Sequence, residues 1–373
     1  MQQINPNALR VLRTLEERGY CAFLVGGCVR DLLLGRPVHD WDITTSSLPQ
    51  ETQRCFEKTI PTGIKHGTIT VLLDGESFEV TTFRADGEYL DGRRPKEVAF
   101  VPDLQEDLAR RDFTINAMAM DARGEITDLY GGREDLQHGL VRCVGEAETR
   151  FSEDALRMLR AVRFSAQLGF SVEEKTQRAI LTCAKLCEQL SAERVRDEIE
   201  KTILSPKPAH LEKMVEWGLL TAFGLHGAYN LSALNDVPCQ RLARWAQVKH
   251  MLPQLDLSML RLEKRAVRLC SAAAELCTGM HTELDCKRII ASHGWETAML
   301  TAQLCNQEET LARIEKSGDC VTLAQLDLKG DDLTDLQGAA VADALHRTLD
   351  YVLRHPREND KAKLLMLLRE GKL

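Results

Sequence analysis

Strand signals stop near residue 150 of this chain and do not return, and this asymmetry limits its fold more than any other feature. Before that point short apolar runs alternate with breakers. Tyr20 to Val25 ends at Gly26-Gly27, Trp41 to Thr44 follows, and Gly67 to Leu73 and Ser77 to Phe83 are joined at Asp74-Gly75. An Asp-Gly pair between two such runs is a hairpin signal. Asn5-Pro6 opens a helix that Gly19 stops, and Cys28 to Leu34 forms another, closed by Gly35. Asp86 to Pro95 is rich in glycine and charge and reads as a mobile loop. From about Ser152 onward only helical periodicity is found. The pattern predicts an α+β chain, a mixed sheet with helices followed by an all-α remainder. At 373 residues the chain fits two to three domains. Breaks at about Ser152, at Pro206 and Pro208, and at Lys316 to Asp319 divide it into 1–150, 151–210, 211–315 and 316–373. There is no internal repeat.

Several function classes are excluded early. The net charge of −8 argues against indiscriminate coating of nucleic acid. At 5% aromatic residues, repeated base-stacking platforms are not expected. The twelve cysteines include no CxxC pair, so no zinc ribbon or thioredoxin-type site is readable, and this many thiols suit a reducing cytoplasm. Cys183 and Cys187 are four apart and should share a helix face, most simply a core face. The N-terminus lacks a signal-peptide pattern, and no apolar run is long enough to span a membrane.

Four constellations carry chemistry. Gly26-Gly27 ends a strand, and a helix with Arg30 and Asp31 follows; two glycines let backbone approach a phosphate, and Arg30 adds a positive fork. Taken alone, the Gly-Gly pair is more simply an ordinary strand-to-helix turn. Asp40-Trp41-Asp42, read on the following strand, places two carboxylates at i and i+2 and so on one face. Such a pair repels itself unless cations sit between, and two Mg²⁺ ions would serve an in-line phosphoryl displacement. A solvated turn is the bland reading. Glu79, between core-facing Phe78 and Val80, should point to the opposite face and could supply a third carboxylate. His39-Asp40 resembles a phosphohydrolase doublet, but the other nine histidines follow no supporting pattern.

The third constellation is Arg110-Arg111-Asp112-Phe113-Thr114-Ile115-Asn116. It reads either as a surface arginine pair or as a triphosphate clamp by Arg111, with Asp112 or Asn116 holding the loop. The fourth is Glu153-Asp154-x-x-Arg157-x-x-Arg160-x-x-Arg163, expected as one uninterrupted helical stripe opposite Leu156, Leu159 and Val162. Asp154 and Arg157 would be neighbours on it, and an i,i+3 salt bridge is the plain alternative. A carboxylate only accepts and a guanidinium only donates. Together they can bond the amino group and ring nitrogen of cytosine or adenine, but not uracil or guanine without unpaired groups.

These motifs, with Glu193-Arg-x-x-x-Glu198, resemble those of the class II (bacterial-type) CCA-adding tRNA nucleotidyltransferase and poly(A) polymerase family, in order and spacing over about residues 20–200. Leu328-Lys-Gly-Asp-Asp-Leu333 and Pro356-Arg-Glu-Asn359 are similar to that family's tail. The resemblance implies a polymerase-beta-like head (1–150), a helical neck (151–210), and a body (211–315) and tail (316–373) that bind tRNA. It implies Mg²⁺-dependent, two-metal addition of C, C and A to the tRNA 3′ end from CTP and ATP. Asp40 and Asp42 would hold the metal; Gly27, Arg30 and Arg111 the triphosphate; Asp154 and Arg157 the base; and Arg160 and Arg163 would complete the pocket. The alternatives are an A-adding enzyme or poly(A) polymerase of the same superfamily, a small-molecule nucleotidyltransferase, and an inactive tRNA-binding protein. Pro61 to Thr68 resembles the CCA-adding pattern rather than the poly(A) polymerase one. Local charge fits an RNA partner: Val237 to Cys270 carries +5 and Leu353 to Leu373 carries +3. The oligomeric state is not readable.

Overall fold

The computed structural model describes residues 4–86 and 98–373 and divides into two units, Met1–Tyr229 and Asn230–Leu373. In the first unit, Asn5 caps helix α1 (Pro6–Glu17) by accepting from Asn7 N and Ala8 N. The helix buries Ala8, Val11, Leu12 and Leu15, a single stripe at helical spacing. Strand β1 (Ala22–Val25), helix α2 (Gly27–Leu33), strand β2 (Asp42–Thr45) and helix α3 (Pro49–Cys55) follow. Next come β3 (Thr59–Gly63), β4 (Thr68–Leu73) and β5 (Glu76–Thr82), then a two-stranded ribbon of β6 (Arg84–Asp86) and β7 (Val98–Phe100). From residue 87 the loop expected over 86–95 lies outside the described residues. Helix α4 (Leu104–Ala109), β8 (Met118–Met120), β9 (Ile126–Asp128), α5 (Gly132–His138) and β10 (Leu140–Val141) lead to the helical segment.

The seven-stranded sheet has the order β3-β4-β5-β2-β1-β8-β9. Only β2 and β5 run parallel; the other pairs are antiparallel, so the sheet is mixed. The expected hairpin is present, with Asp74 and Gly75 both in the left-handed region (φ 50° and 84°). In β5, Phe78 and Val80 are buried while Glu79 is exposed, as period-two alternation requires.

The helices after the sheet are α6 (Ala147–Glu153), α7 (Leu156–Leu168), α8 (Glu174–Cys183), α9 (Ala192–Ile203) and α10 (Leu211–Glu216). A two-residue strand, β11 (Ser171–Val172), pairs parallel with β10. The change near Ser152 is therefore a change of element type and not a break in packing. A short strand lies beyond it, and the first unit continues to Tyr229. Of the two cysteines expected on one core face, Cys187 is buried, but Cys183 ends α8 half-buried.

The second unit is helical: α11 (Arg241–Met251), α12 (Lys264–Leu276), α13 (Glu283–Cys305), α14 (Glu308–Ser317), α15 (Ala339–Arg354) and α16 (Lys361–Arg369). Gly294, at φ 82°, breaks α13. Cys286, Ile290, Leu311, Val352 and Leu364 share one core, which spans the break expected near 316. Several residues of the two basic islands have partners within this unit. Arg244 is buried and donates to Pro238 O and Leu234 O, and Lys249 donates to Pro253 O and Leu255 O. Arg265 pairs with Glu296, Lys361 with Asp332 and Arg354 with Asp350, acids outside the counted segments. Among the described residues no disulfide forms, and no helix is long and apolar enough to cross a membrane.

Candidate active site

Parallel pairing of β2 with β5 puts Asp42 directly opposite Glu79. Of the Asp40–Asp42 pair only Asp42 lies on the strand; Asp40 precedes it and is exposed. The two carboxylates are not consecutive same-face positions of one strand, yet they interact. Burial first, then the charges of Glu79 and Asp40, push the Asp42 carboxyl above its ordinary range, and Arg111 offsets this only in part. Three acidic groups thus crowd one end of the sheet. Among the described residues no group of three or more carboxylate, imidazole or thiol side chains closes on a single point.

Gly26, at the β1–α2 turn, has φ 76°, which disfavours any side chain. A Cβ there would stand 3.2 Å from Arg111 Nη1 and 3.9 Å from Asp42 Oδ2. The backbone therefore calls for glycine at Gly26, whereas Gly27 is helical and the nearest atom to a Cβ there would be Arg30 Nη2 at 3.6 Å. Arg30 is buried; it donates to Asn116 Oδ1 at 2.7 Å and to both carboxylate oxygens of Asp31. Asp107, fully buried at the end of α4, accepts from Arg110 Nε and Nη2 and from Arg111 Nη2. Burial raises its carboxyl, but the two guanidinium charges and their bonds outweigh this and leave it below the usual range. Arg111 Nε is buried and has no hydrogen-bond partner among the described residues, an orphaned donor beside the carboxylate cluster.

The segment Arg110-Arg111-Asp112 joins this end of the site to the helices. Arg157 Nη2 donates to Arg110 O at 3.0 Å, and Arg160 donates through Nε and Nη2 to Asp112 Oδ2 at 2.8 and 2.5 Å. Asp112 Oδ1 accepts from Phe113 N and Asn116 Nδ2. Asp112 and Asn116 thus both hold the loop. Arg163 Nε stands 3.0 Å from Glu198 Oε2 as an ion pair, at an angle that leaves both atoms without a hydrogen bond. Burial and the neighbouring Arg160 push Arg163 down to about 10. Three guanidiniums, those of Arg30, Arg160 and Arg163, lie 5.3, 5.3 and 4.1 Å from the centre of the Phe164 ring.

The expected single stripe from Glu153 to Arg163 is interrupted. Asp154 takes extended backbone (φ −145°, ψ 103°), so α6 ends before it and α7 begins at Leu156. Its carboxylate receives Arg194 Nη2 at 2.8 and 3.1 Å, and Arg157 turns to Glu153 Oε2 at 2.9 Å. The i,i+3 pair of Asp154 with Arg157 is therefore not formed; each residue has its own partner.

Residues 22–142 match the family model described as the Poly A polymerase head domain. Residues 169–224 match that described as Probable RNA and SrmB- binding site of polymerase A. The CCA-adding enzyme of Lactobacillus helveticus is 57% identical over 199 residues, 53% of this chain and 50% of that one. That of Geobacillus thermodenitrificans is 54% identical over 215 residues, 57% and 53% of the two chains. The chain spans about half the length of the curated relatives it matches. The crystal structure of the Bacillus stearothermophilus CCA-adding enzyme in complex with CTP is 35% identical and covers 99% of both chains, with a TM-score of 0.84. The chain belongs to the CCA-adding enzymes. The Thermotoga maritima CCA-adding enzyme complexed with tRNA, 19% identical with a TM-score of 0.73 over 99% of this chain and 97% of that one, shares the fold.

For a member of the CCA-adding enzymes, the residues that the sequence pattern did not single out are Asp107 and Phe164. Asp107 was within reach, because its i+3 and i+4 positions are Arg110 and Arg111. The motif that contains Arg194 did not show its partner, which is forty residues away.

Proposed function

We propose that the chain adds C, C and A to the 3′ end of tRNA from CTP and ATP, without a nucleic-acid template, and releases pyrophosphate. One observation carries this reading: three consecutive residues, Arg110 to Asp112, tie the acidic end of the sheet to the helical residues able to read a base. The orphaned Arg111 Nε and the three guanidiniums around Phe164 supply positive charge for a triphosphate. In this reading Arg30 and Arg111, with backbone at Gly26-Gly27, hold the phosphates. Asp154 and Arg157 bond the Watson–Crick edge of C or A, and Arg160 and Arg163 close the pocket.

The carboxylate set fits a divalent cation, because the crowding that raises Asp42 is what a cation would relieve. Asp40 and Asp42 would hold it, and with two protein carboxylates the rest of the shell would fall to phosphates and water, which suits Mg²⁺. When bound, Mg²⁺ would make the tRNA 3′-hydroxyl more nucleophilic and offset charge on the phosphates. The chain's own residues do the rest: Arg111 and Arg30 orient the triphosphate, and the base readers set the α-phosphate in line. The four parts 1–150, 151–210, 211–315 and 316–373 would act as head, neck, body and tail, in the cytoplasm.

The test uses tRNA without CCA, tRNA ending in C and tRNA ending in CC, each with single nucleotides. C is expected on the first two, A on the third, and no U or G. Addition of A alone to the CC substrate would identify an A-adding enzyme. A long A tract would identify a poly(A) polymerase, and no addition to any substrate would refute the activity.

A further inference from the structure

Asp107 has no part in nucleotide addition as proposed, yet it is fully buried where strand β2 meets the segment of Arg110 and Arg111. Its Oδ1 accepts from Arg110 Nε at 3.0 Å, Arg110 Nη2 at 2.8 Å and Arg84 N at 3.4 Å. Its Oδ2 accepts from Arg111 Nη2 at 3.1 Å and lies 3.3 Å from Thr44 Oγ1. Thr44 is on β2, two residues beyond Asp42. One carboxylate therefore ties the strand that carries Asp42 to the arginine that would hold the triphosphate. A carboxylate has about four acceptor positions, and these bonds fill them, so Asp107 is not itself free to take a cation.

Arg111 faces two carboxylates. Asp107 is hydrogen-bonded to it; Asp42 feels its charge, but among the described residues no ion pair joins Asp42 to Arg111. The two nevertheless border one spot, since a Cβ on Gly26 would stand 3.2 Å from Arg111 Nη1 and 3.9 Å from Asp42 Oδ2. A guanidinium without its anchor would close on Asp42, which is crowded by other carboxylates and lacks a bonded counter-charge. Asp42 would then be screened from a metal, and Arg111 would have fewer N–H groups for phosphates. We propose that Asp107 is a positioning residue that holds Arg111 clear of Asp42, so that the arginine keeps its donors for the triphosphate and the aspartate its oxygens for the metal; this rests on those two assignments. The orphaned Arg111 Nε agrees, because a planar guanidinium pinned at Nη2 is not free to turn toward another partner.

The experiment measures binding of Mn²⁺, a spectroscopic stand-in for Mg²⁺, to the full chain without nucleotide. The readout is loss of the free-ion electron paramagnetic resonance signal, well below the melting temperature of every variant, with KM for CTP on tRNA without CCA measured beside it. Asp107→Asn keeps the shape and removes the charge. It should weaken Mn²⁺ binding and raise KM for CTP by about ten-fold each, the scale of one charged hydrogen bond. Adding Arg111→Gln should bring Mn²⁺ binding back near the wild-type value, because the competing cation is gone, while KM stays high. Unchanged Mn²⁺ binding in Asp107→Asn would overturn the proposal. So would a loss that Arg111→Gln does not reverse, which is what a merely structural role gives. If Asp107→Asn does not fold, Asp107→Asn with Arg110→Gln removes one of the two arginines left without their carboxylate. Weakened Mn²⁺ binding there, reversed by Arg111→Gln, supports the proposal, and unchanged binding overturns it. Asp42→Ala separates the two layers. If it binds Mn²⁺ as the wild type does, the metal assignment fails and the proposal with it. If it loses Mn²⁺ while Asp107→Asn does not, only the Asp107 proposal fails.

Discussion

Replacing Asp112 by Asn should destabilise the chain by an amount that vanishes in acid. Burial alone would raise the Asp112 carboxyl, but Arg160's charge, bonds from Asn116 and Arg160, and the charge of Arg157 bring it to about 2, against 3.8 in an ordinary setting. That gap corresponds to about 2 kcal/mol of folding stability. Because the folded value is the lower one, this contribution is complete well above pH 4 and is lost as pH falls toward 2. Asparagine preserves shape and the acceptor facing Phe113 N and Asn116 Nδ2, but would turn an amide NH₂ toward the two Arg160 donors. Urea denaturation followed by far-UV circular dichroism, on both proteins at pH 7, 5, 4 and 3, measures the difference. Acid-sensitive groups elsewhere are common to both chains and cancel. The wild type should exceed Asp112→Asn by about 2 kcal/mol at pH 7, falling to roughly half by pH 3. Equal stability at pH 7, or a gap that stays constant on acidification, would refute the reasoning.

Three further outcomes follow from the site. Asp42→Ala should abolish nucleotide addition while gel-shift binding of tRNA persists; retained turnover would remove the carboxylate from the metal role. Gly26→Ala forces a side chain onto a backbone at φ 76° and within 3.2 Å of Arg111 Nη1, and should lower kcat/KM by about ten-fold or more with little change in far-UV circular dichroism; wild-type rates would show that Arg111 yields freely. Exchanging the readers, Asp154→Arg with Arg157→Asp, should move incorporation toward U or G in single-nucleotide assays, and persistent C and A preference would refute the base-reading assignment.

The sheet was legible because its signals are local. Apolar alternation around Glu79 and the Asp74-Gly75 turn each predict what the backbone does within a few residues. The helical break at Asp154 was not legible, since no glycine or proline marks it and the run from Glu153 to Phe164 keeps helical periodicity throughout. What overrides that periodicity is long-range: a carboxylate held by Arg194 and an arginine held by the carbonyl of Arg110. The basic islands are in part offset over a distance, because a count along the chain does not include Glu296 or Asp350. In the same way the division at Tyr229 follows from packing, which leaves no compositional mark there.

Arg110, Arg111 and Asp112 are consecutive, and their Cα atoms are joined by trans peptides about 3.8 Å apart. One accepts from Arg157, the next borders Gly26 and Asp42, and the third accepts from Arg160. The backbone anchors of the two ends are thus two peptide units apart, so a shift of the chain at one end is passed to the other. Inserting one residue between Arg110 and Asp112 would throw both ends out of alignment at once, where a comparable insertion in a surface turn would cost little.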